Sequence, residues 1–157
     1  MTTKAAPRAA DLEGISAIIA DHSDLEGPLL PILHAVQASF GHVPAFAHAP
    51  IAEALNITRA ELHGVVSFYH DFRDKPAGVH VVRICRAEAC QAMGGAAMSE
   101  AVLAQLGLDW HGTTRDGRIT VEPVYCLGLC ACAPAAMVDG KAKGRATADA
   151  ILLEVGA

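Results

Sequence analysis

The chain has 157 residues, 52% hydrophobic and 18% charged, with a formal net charge of −5 and a pI near 5.8. That balance supplies enough apolar side chain for a buried core and excludes a disordered polymer, while the acidic sum and the 4% aromatic content exclude a phosphate-gripping or base-stacking nucleic-acid surface. No apolar run approaches the ~20 residues that span a bilayer, and Met1 to Arg8 lacks the apolar stretch of a secretory signal, so a cytoplasmic chain without membrane insertion is expected.

The first half reads as helices. Leu12, Ile15, Ile18 and Ile19 form one apolar stripe at helical spacing, ending near Asp21-His22-Ser23. Pro28 and Pro31 mark the start of a second helix with Ile32, Leu33, Val36 and Phe40 on its face and Gly41 as its stop. After a connector from His42 to His48, Pro50 opens a third helix that ends near Asn56. Thr58 and Glu61 have capping-box spacing and start a fourth, running through Val66. Phe68 and Tyr69 are expected in the core, and Arg73, Asp74 and Lys75 in a solvated hinge that reaches Gly78.

The second half changes period. Val79 to Ile84 is a short β-branched strand running into Cys85. Gly94-Gly95 opens a helix carrying Met98, Val102, Leu103 and Leu106, stopped by Gly107. An Asp116-Gly117 turn leads into a strand from Arg118 to Val124, Ala136 to Val138 forms another, and Asp149 to Val155 a closing helix. The pattern is α+β, with a helical bundle over residues 1–77 and a β-α-β-β-α domain over residues 78–157.

Five cysteines are an odd count for a disulfide framework, and a reducing compartment does not preserve one. Four of them form Cys85-x4-Cys90 and, after 35 intervening residues, Cys126-x3-Cys130. Both pairs follow expected strands, so four sulfurs converge if those strands are neighbours. Four thiolates suit a [2Fe–2S] cluster, two sulfurs to each iron. The small residues Ala87, Ala89 and Gly128 would let the backbone aim N–H groups at them. Spacing alone leaves open a structural zinc ion, though zinc knuckles are usually tighter, and also plain buried thiols. A free-standing thiol oxidoreductase is disfavoured because no Cys-x-x-Cys is present. Cys132 is expected to be a small buried hydrophobe beside the loop.

The other candidates read blandly. None of the eight histidines (22, 34, 42, 48, 63, 70, 80 and 111) falls in a metalloprotease or Rieske pattern, so surface and packing roles are expected, His70 and His80 included. Gly94-Gly95 lacks the rest of either phosphate-binding glycine motif, so no nucleotide or flavin site is identified. No catalytic residue set stands out.

With both halves in view, the chain resembles the 24 kDa-type [2Fe–2S] subunit of respiratory complex I. The resemblance is carried by the two cysteine pairs, by Leu30-Pro31-Ile32-Leu33-His34-Ala35-Val36-Gln37 with Phe40-Gly41-His42-Val43-Pro44, and by Ile51-Ala52-Glu53-Ala54-Leu55 with Glu61-Leu62-His63-Gly64-Val65-Val66-Ser67-Phe68-Tyr69. It covers roughly residues 25–140. It implies a helical bundle followed by a thioredoxin-like ferredoxin domain with one cluster on Cys85, Cys90, Cys126 and Cys130. Within that family, Cys85-Arg-Ala-Glu-Ala-Cys-Gln-Ala-Met-Gly and Tyr125-Cys-Leu-Gly-Leu-Cys-Ala-Cys-Ala-Pro134 are most similar to the gamma subunit of NAD-dependent formate dehydrogenases. The diaphorase modules of NAD-linked hydrogenases use a similar subunit. Such subunits dock on a larger one that carries FMN, the NAD site and a [4Fe–4S] cluster, and formate is oxidised at a molybdenum cofactor on a further subunit. The function implied is one-electron carriage, at a low potential on the order of −400 mV as in plant-type ferredoxins.

Overall fold

The structure is a computed structural model and describes residues 8–157; the expectation about Met1 to Arg8 falls largely outside that range. The chain divides into two compact units, one running to Pro76 and the other from Ala77 to Ala157.

The first unit is helical: α1 (Ala9–His22), α2 (Leu29–Phe40), α3 (His48–Ala54) and α4 (Arg59–Phe68). Their apolar stripes meet in one core where Ile15, Ile32, Leu33, Val36, Ile51 and Leu62 are fully buried. Gly41 ends α2 in the left-handed region at φ 73°, which lets its N–H return to the Gln37 carbonyl. Thr58 caps α4: its hydroxyl accepts from the Glu61 N–H at 3.1 Å, and the Glu61 carboxylate accepts from the Thr58 N–H at 2.7 Å. Gln37 fastens the stretch after α4, its amide donating to the Asp71 carbonyl and accepting from the Arg73 N–H.

Two expectations for this half are corrected. A single 3-10 turn, Ala45–Ala47, precedes α3, which begins at His48. Pro50 therefore sits in the first turn, where its missing N–H would have had no helical acceptor. Phe68 is 73% and Tyr69 44% exposed, outside the core, while Phe72 is buried. The period explains this: Leu62 and Val66 lie on one face of α4, and Phe68 is two residues, or about 200°, further round.

In the second unit, β1 (His80–Cys85), β2 (Ile119–Val124), β3 (Ala136–Val138) and β4 (Lys141–Lys143) form a sheet in the order β2-β1-β3-β4. β1 and β2 run parallel, with His80 opposite Ile119 and Cys85 opposite Val124, while the β1–β3 and β3–β4 pairs are antiparallel. Pro123 is tolerated because β2 is an edge strand. The parallel crossover is made by α5 (Glu88–Ala92) and α6 (Gly95–Leu106), and α7 (Ala148–Glu154) closes the unit. Val82, Ile84 and Val121 pack with Val102 and Ile151 at the centre of the core. On β1 and β2, Arg83 Nε meets Glu122 Oε2 at 3.1 Å across the parallel pair.

Two short elements were not expected. α5 is five residues long, too short to show a period, and β4 is a three-residue Lys-Ala-Lys edge strand whose charges protect an open edge. The β3–β4 turn, Asp139-Gly140, is tied back to β1. The Asp139 carboxylate accepts from the Val81 N–H and meets His80 Nδ1, both at 2.8 Å. The His80 hydrogen bond, against an opposing effect of burial and with help from the Val81 N–H, holds the Asp139 carboxyl below its ordinary range. A carboxylate depressed in the folded state contributes stability above its unfolded pKa, near 3.9, and loses it as pH falls through the folded value. Asp139→Asn is therefore expected to cost about 1 kcal/mol or less at pH 7, since the group is partly exposed and screened. That deficit should shrink towards zero as pH drops below 4, as measured by urea unfolding across pH 3 to 7.

Candidate metal centre

Parallel β1 and β2 end at the same side of the sheet, and the cysteines are found there. Cys85 is the last residue of β1; its N–H bonds to the Ala135 carbonyl, and the Arg86 N–H bonds to the Val124 carbonyl. Cys90 follows within α5, and both thiols are buried at 2% exposure. Cys126 stands two residues beyond β2 and Cys130 opens the 3-10 turn Cys130–Cys132; both are exposed. Leu127 and Leu129 pack against the buried Cys85, Cys90 and Ala135, which joins the two loops.

The sulfurs come as two pairs. Cys126 Sγ lies 3.6 Å from Cys130 Sγ, and the Gly128 N–H points at Cys126 Sγ at 3.4 Å. The thiol of Cys90 is hydrogen-bonded to that of Cys85. The Cys126–Cys130 separation is far from a disulfide bond of about 2.05 Å. It approaches the edge of roughly 3.8 Å in a tetrahedron with metal–sulfur lengths of about 2.3 Å. Among the described residues, no three cysteine, histidine or carboxylate side chains gather around a single point. Two thiol pairs on adjoining loops fit a two-iron cluster, which takes two thiolates at each metal.

Backbone geometry shapes both loops. Cys126 has φ 82°, left-handed and strained for a residue with a Cβ, and Gly128 follows at φ 76°. The chain curls so that N–H groups face the sulfurs. Burial pushes the Cys85 thiol up, but the N–H of Ala87, the Cys90 thiol, and the N–H groups of Cys126 and Leu127 outweigh it and hold the thiol below its ordinary range. Burial, then the Cys85 sulfur, raises Cys90, and the Cys126 sulfur raises Cys130. The first thiol to ionise is thus stabilised, and its neighbours resist a second negative charge until a cation arrives.

Cys132 departs from expectation: it is half-buried rather than buried, with its N–H on the Leu129 carbonyl. His80 faces Asp139 at the opposite end of β1 from Cys85, five residues or about 16 Å away. Sequence reasoning missed two supports. The Arg86 guanidinium lies 4.9 Å from the Trp110 ring centre, a cation–π contact between residues far apart in the chain. Gly95, read only as a helix start, lies against Cys90 so closely that a Cβ would come within 2.6 Å of the Cys90 carbonyl oxygen.

A four-stranded α/β unit holding two thiol pairs on neighbouring loops at one sheet end has the architecture of an iron–sulfur carrier. Comparison with known proteins agrees. Residues 15–154 match the sequence profile of the thioredoxin-like [2Fe-2S] ferredoxin family. The chain is 35% identical over 122 residues to HndA, a component of the NADP-reducing hydrogenase of Solidesulfovibrio fructosivorans, covering 78% of this chain and 71% of that one. It is 35% identical over 130 residues to a component of the NADH-quinone oxidoreductase of Pseudomonas aeruginosa, covering 83% and 78%. The corresponding NADH-quinone oxidoreductase component of Escherichia coli is 33% identical over 143 residues, covering 91% and 86%. A chain in the crystal structure of an air-oxidised NAD+-reducing [NiFe]-hydrogenase shares the fold at a TM-score of 0.62 and 23% identity, over 90% of this chain and 22% of its own length.

The chain belongs to the thioredoxin-like [2Fe–2S] ferredoxin family, in its complex I 24 kDa-type branch. It is an electron-transfer subunit that carries one [2Fe–2S] cluster.

In the cluster-free chain, alkylation followed by mass spectrometry should label Cys126 and Cys130 first and Cys85 and Cys90 last. Gly95→Ala should cost about 1–3 kcal/mol by overpacking and should speed labelling of Cys90 selectively. Equal labelling of all four thiols in the folded chain would contradict this arrangement.

Proposed function

We propose that Cys85, Cys90, Cys126 and Cys130 are the cluster ligands, with Cys85 and Cys90 on one iron and Cys126 and Cys130 on the other. The observation that carries this reading is the placement of two thiol pairs at the shared end of parallel strands β1 and β2. When bound, the cluster supplies one-electron redox chemistry. The chain's own residues would hold it, aim N–H groups at the cysteine sulfurs, and cover the Cys85–Cys90 side with Leu127, Leu129 and Ala135. The exposed Cys126–Cys130 side leaves a face that an electron partner can approach.

The partner in this proposal is the FMN- and NAD-binding [4Fe–4S] subunit of a multisubunit NAD-dependent formate dehydrogenase, which passes electrons to or from a molybdenum catalytic subunit in the cytoplasm. The similarity of the two cysteine loops to the gamma subunits of those enzymes supports it. A second reading, the equivalent diaphorase subunit of an NAD(P)-linked hydrogenase or of complex I, is supported by the 35% identity to a component of each. In either case the chain supplies a helical bundle to residue 77 followed by a ferredoxin domain from residue 78.

Anaerobic purification should give about two irons and two acid-labile sulfides per chain, with a spin-half EPR signal on reduction. Replacing any of Cys85, Cys90, Cys126 or Cys130 by Ser should bleach or destabilise the cluster, and Cys132→Ser should spare it. A Cys132→Ser variant that is empty beside a loaded Cys130→Ser variant would reassign the ligands. Affinity isolation of the native complex then separates the partners: formate-dependent NAD reduction with molybdenum present supports the first reading. Hydrogen-dependent reduction with nickel supports the second and overturns the first.

A further inference from the structure

Gly144 follows β4, outside every cysteine loop, yet a Cβ built on it would stand 2.6 Å from Cys132 Cβ and 3.0 Å from the Cys132 carbonyl oxygen. Carbon atoms prefer 3.5–4.0 Å, so no side chain fits there without movement. Its φ is not left-handed, so the requirement is for close approach and not for backbone freedom. The next two residues complete the contact: the Arg145 N–H bonds to the Cys132 carbonyl, and the Ala146 N–H bonds to the Pro134 carbonyl at 2.9 Å. The loop from Cys130 to Pro134 thus rests on a strap from Gly144 to Ala146.

The strap itself is fixed. Lys143 pairs with Ala136 in the sheet and its Nζ meets Glu154 Oε2 on α7 at 2.7 Å, while Ala146 is buried in the core. The sheet pairing and the ion pair to α7 hold the strap, so the loop is the side that must yield. Cys132 also belongs to the same 3-10 turn that carries Cys130, closed by the Cys132 N–H on the Leu129 carbonyl. A push on Cys132 therefore moves Cys130.

We infer that Gly144 is a positioning residue for the cluster: it lets the Cys130–Cys132 turn sit back against the strap, which sets the Cys130 sulfur at its iron and keeps Cys132 out of the ligand set. This inference rests on the four-cysteine reading above. Gly144 touches no ligand; it acts through Cys132.

The test uses the full chain, purified without air, as wild type, Gly144→Ala, Cys132→Gly and the double variant. Iron and sulfide content, EPR of the reduced state, midpoint potential and the rate of iron loss to a chelator are measured on each. Gly144→Ala is expected to shift the g-values and the potential and to lose iron about tenfold faster, the scale of one overpacked contact. Cys132→Gly removes the nearer of the two contacts, so the double variant should return towards wild type in all three. A Gly144→Ala protein with wild-type EPR, potential and iron loss overturns the inference, as does a double variant no closer to wild type than the single one. Should Gly144→Ala not fold by circular dichroism, the double variant decides: folded and loaded supports the contact, unfolded refutes it. A wild-type chain free of iron and sulfide would instead sink the cluster reading itself, and this inference with it.

Discussion

Everything at the metal centre depends on β1 and β2 being parallel. Neighbouring strands lie about 4.8 Å apart, whereas the two ends of a six-residue strand are about 20 Å apart. In the parallel register that sets Cys85 opposite Val124, the loops leaving both strands start at the smaller distance. An antiparallel pair would place them at the larger one, beyond any cluster. Parallel pairing in turn demands a crossover, and here the crossover does chemical work: its first short helix, α5, carries Cys90 back beside Cys85.

The electrostatic setting follows from the same loops. Between Glu122 and Asp139 the sequence has no charged residue, so the segment that carries Cys126 and Cys130 supplies no countercharge of its own. Adding an electron to an all-thiolate cluster increases an already negative charge, which a segment without charge of its own does not offset. The N–H groups of Ala87, Cys126, Leu127 and Gly128 act in the other direction. These backbone dipoles, whose positions depend on loop shape, would raise the potential of a bound cluster. Close packing at Gly95 fixes the backbone at Cys90, and with it the place from which that thiol is presented.

Much of this was legible in the sequence because it is encoded locally. The capping box at Thr58 and Glu61, the stop at Gly41, the β-branched run into Cys85 and the spacing of the four cysteines are each short-range patterns, and each stands where expected. What escaped was long-range or too short to have a period. Phe68 looked like core by composition, but its angle on α4 turns it outward. β4 has three residues, two of them lysine, and no alternation to read. The contact of Arg86 with Trp110 joins residues with no common motif, and the half-burial of Cys132 reflects a strap more than ten residues further on. The relation of the cysteine pairs to one another was conditional on strand order, which no spacing within a single chain specifies.

The two thiol pairs differ in a way that assigns them unlike burdens. Cys85 and Cys90 are enclosed by leucine and alanine side chains, so solvent and small oxidants reach them poorly; Cys126 and Cys130 are open to both. Under the proposed ligand set, the enclosed pair would anchor the cluster and the open pair would lie at the surface that an electron partner can meet. Without metal, the same openness becomes a hazard: two exposed thiols with sulfurs 3.6 Å apart need only a small closure to form a disulfide. The strained backbone at Cys126 and the close seating of the turn at Cys130 oppose that closure by holding the sulfurs at the spacing a metal requires. The seating of this turn against Gly144 would therefore guard the site when it is empty as well as shape it when it is filled.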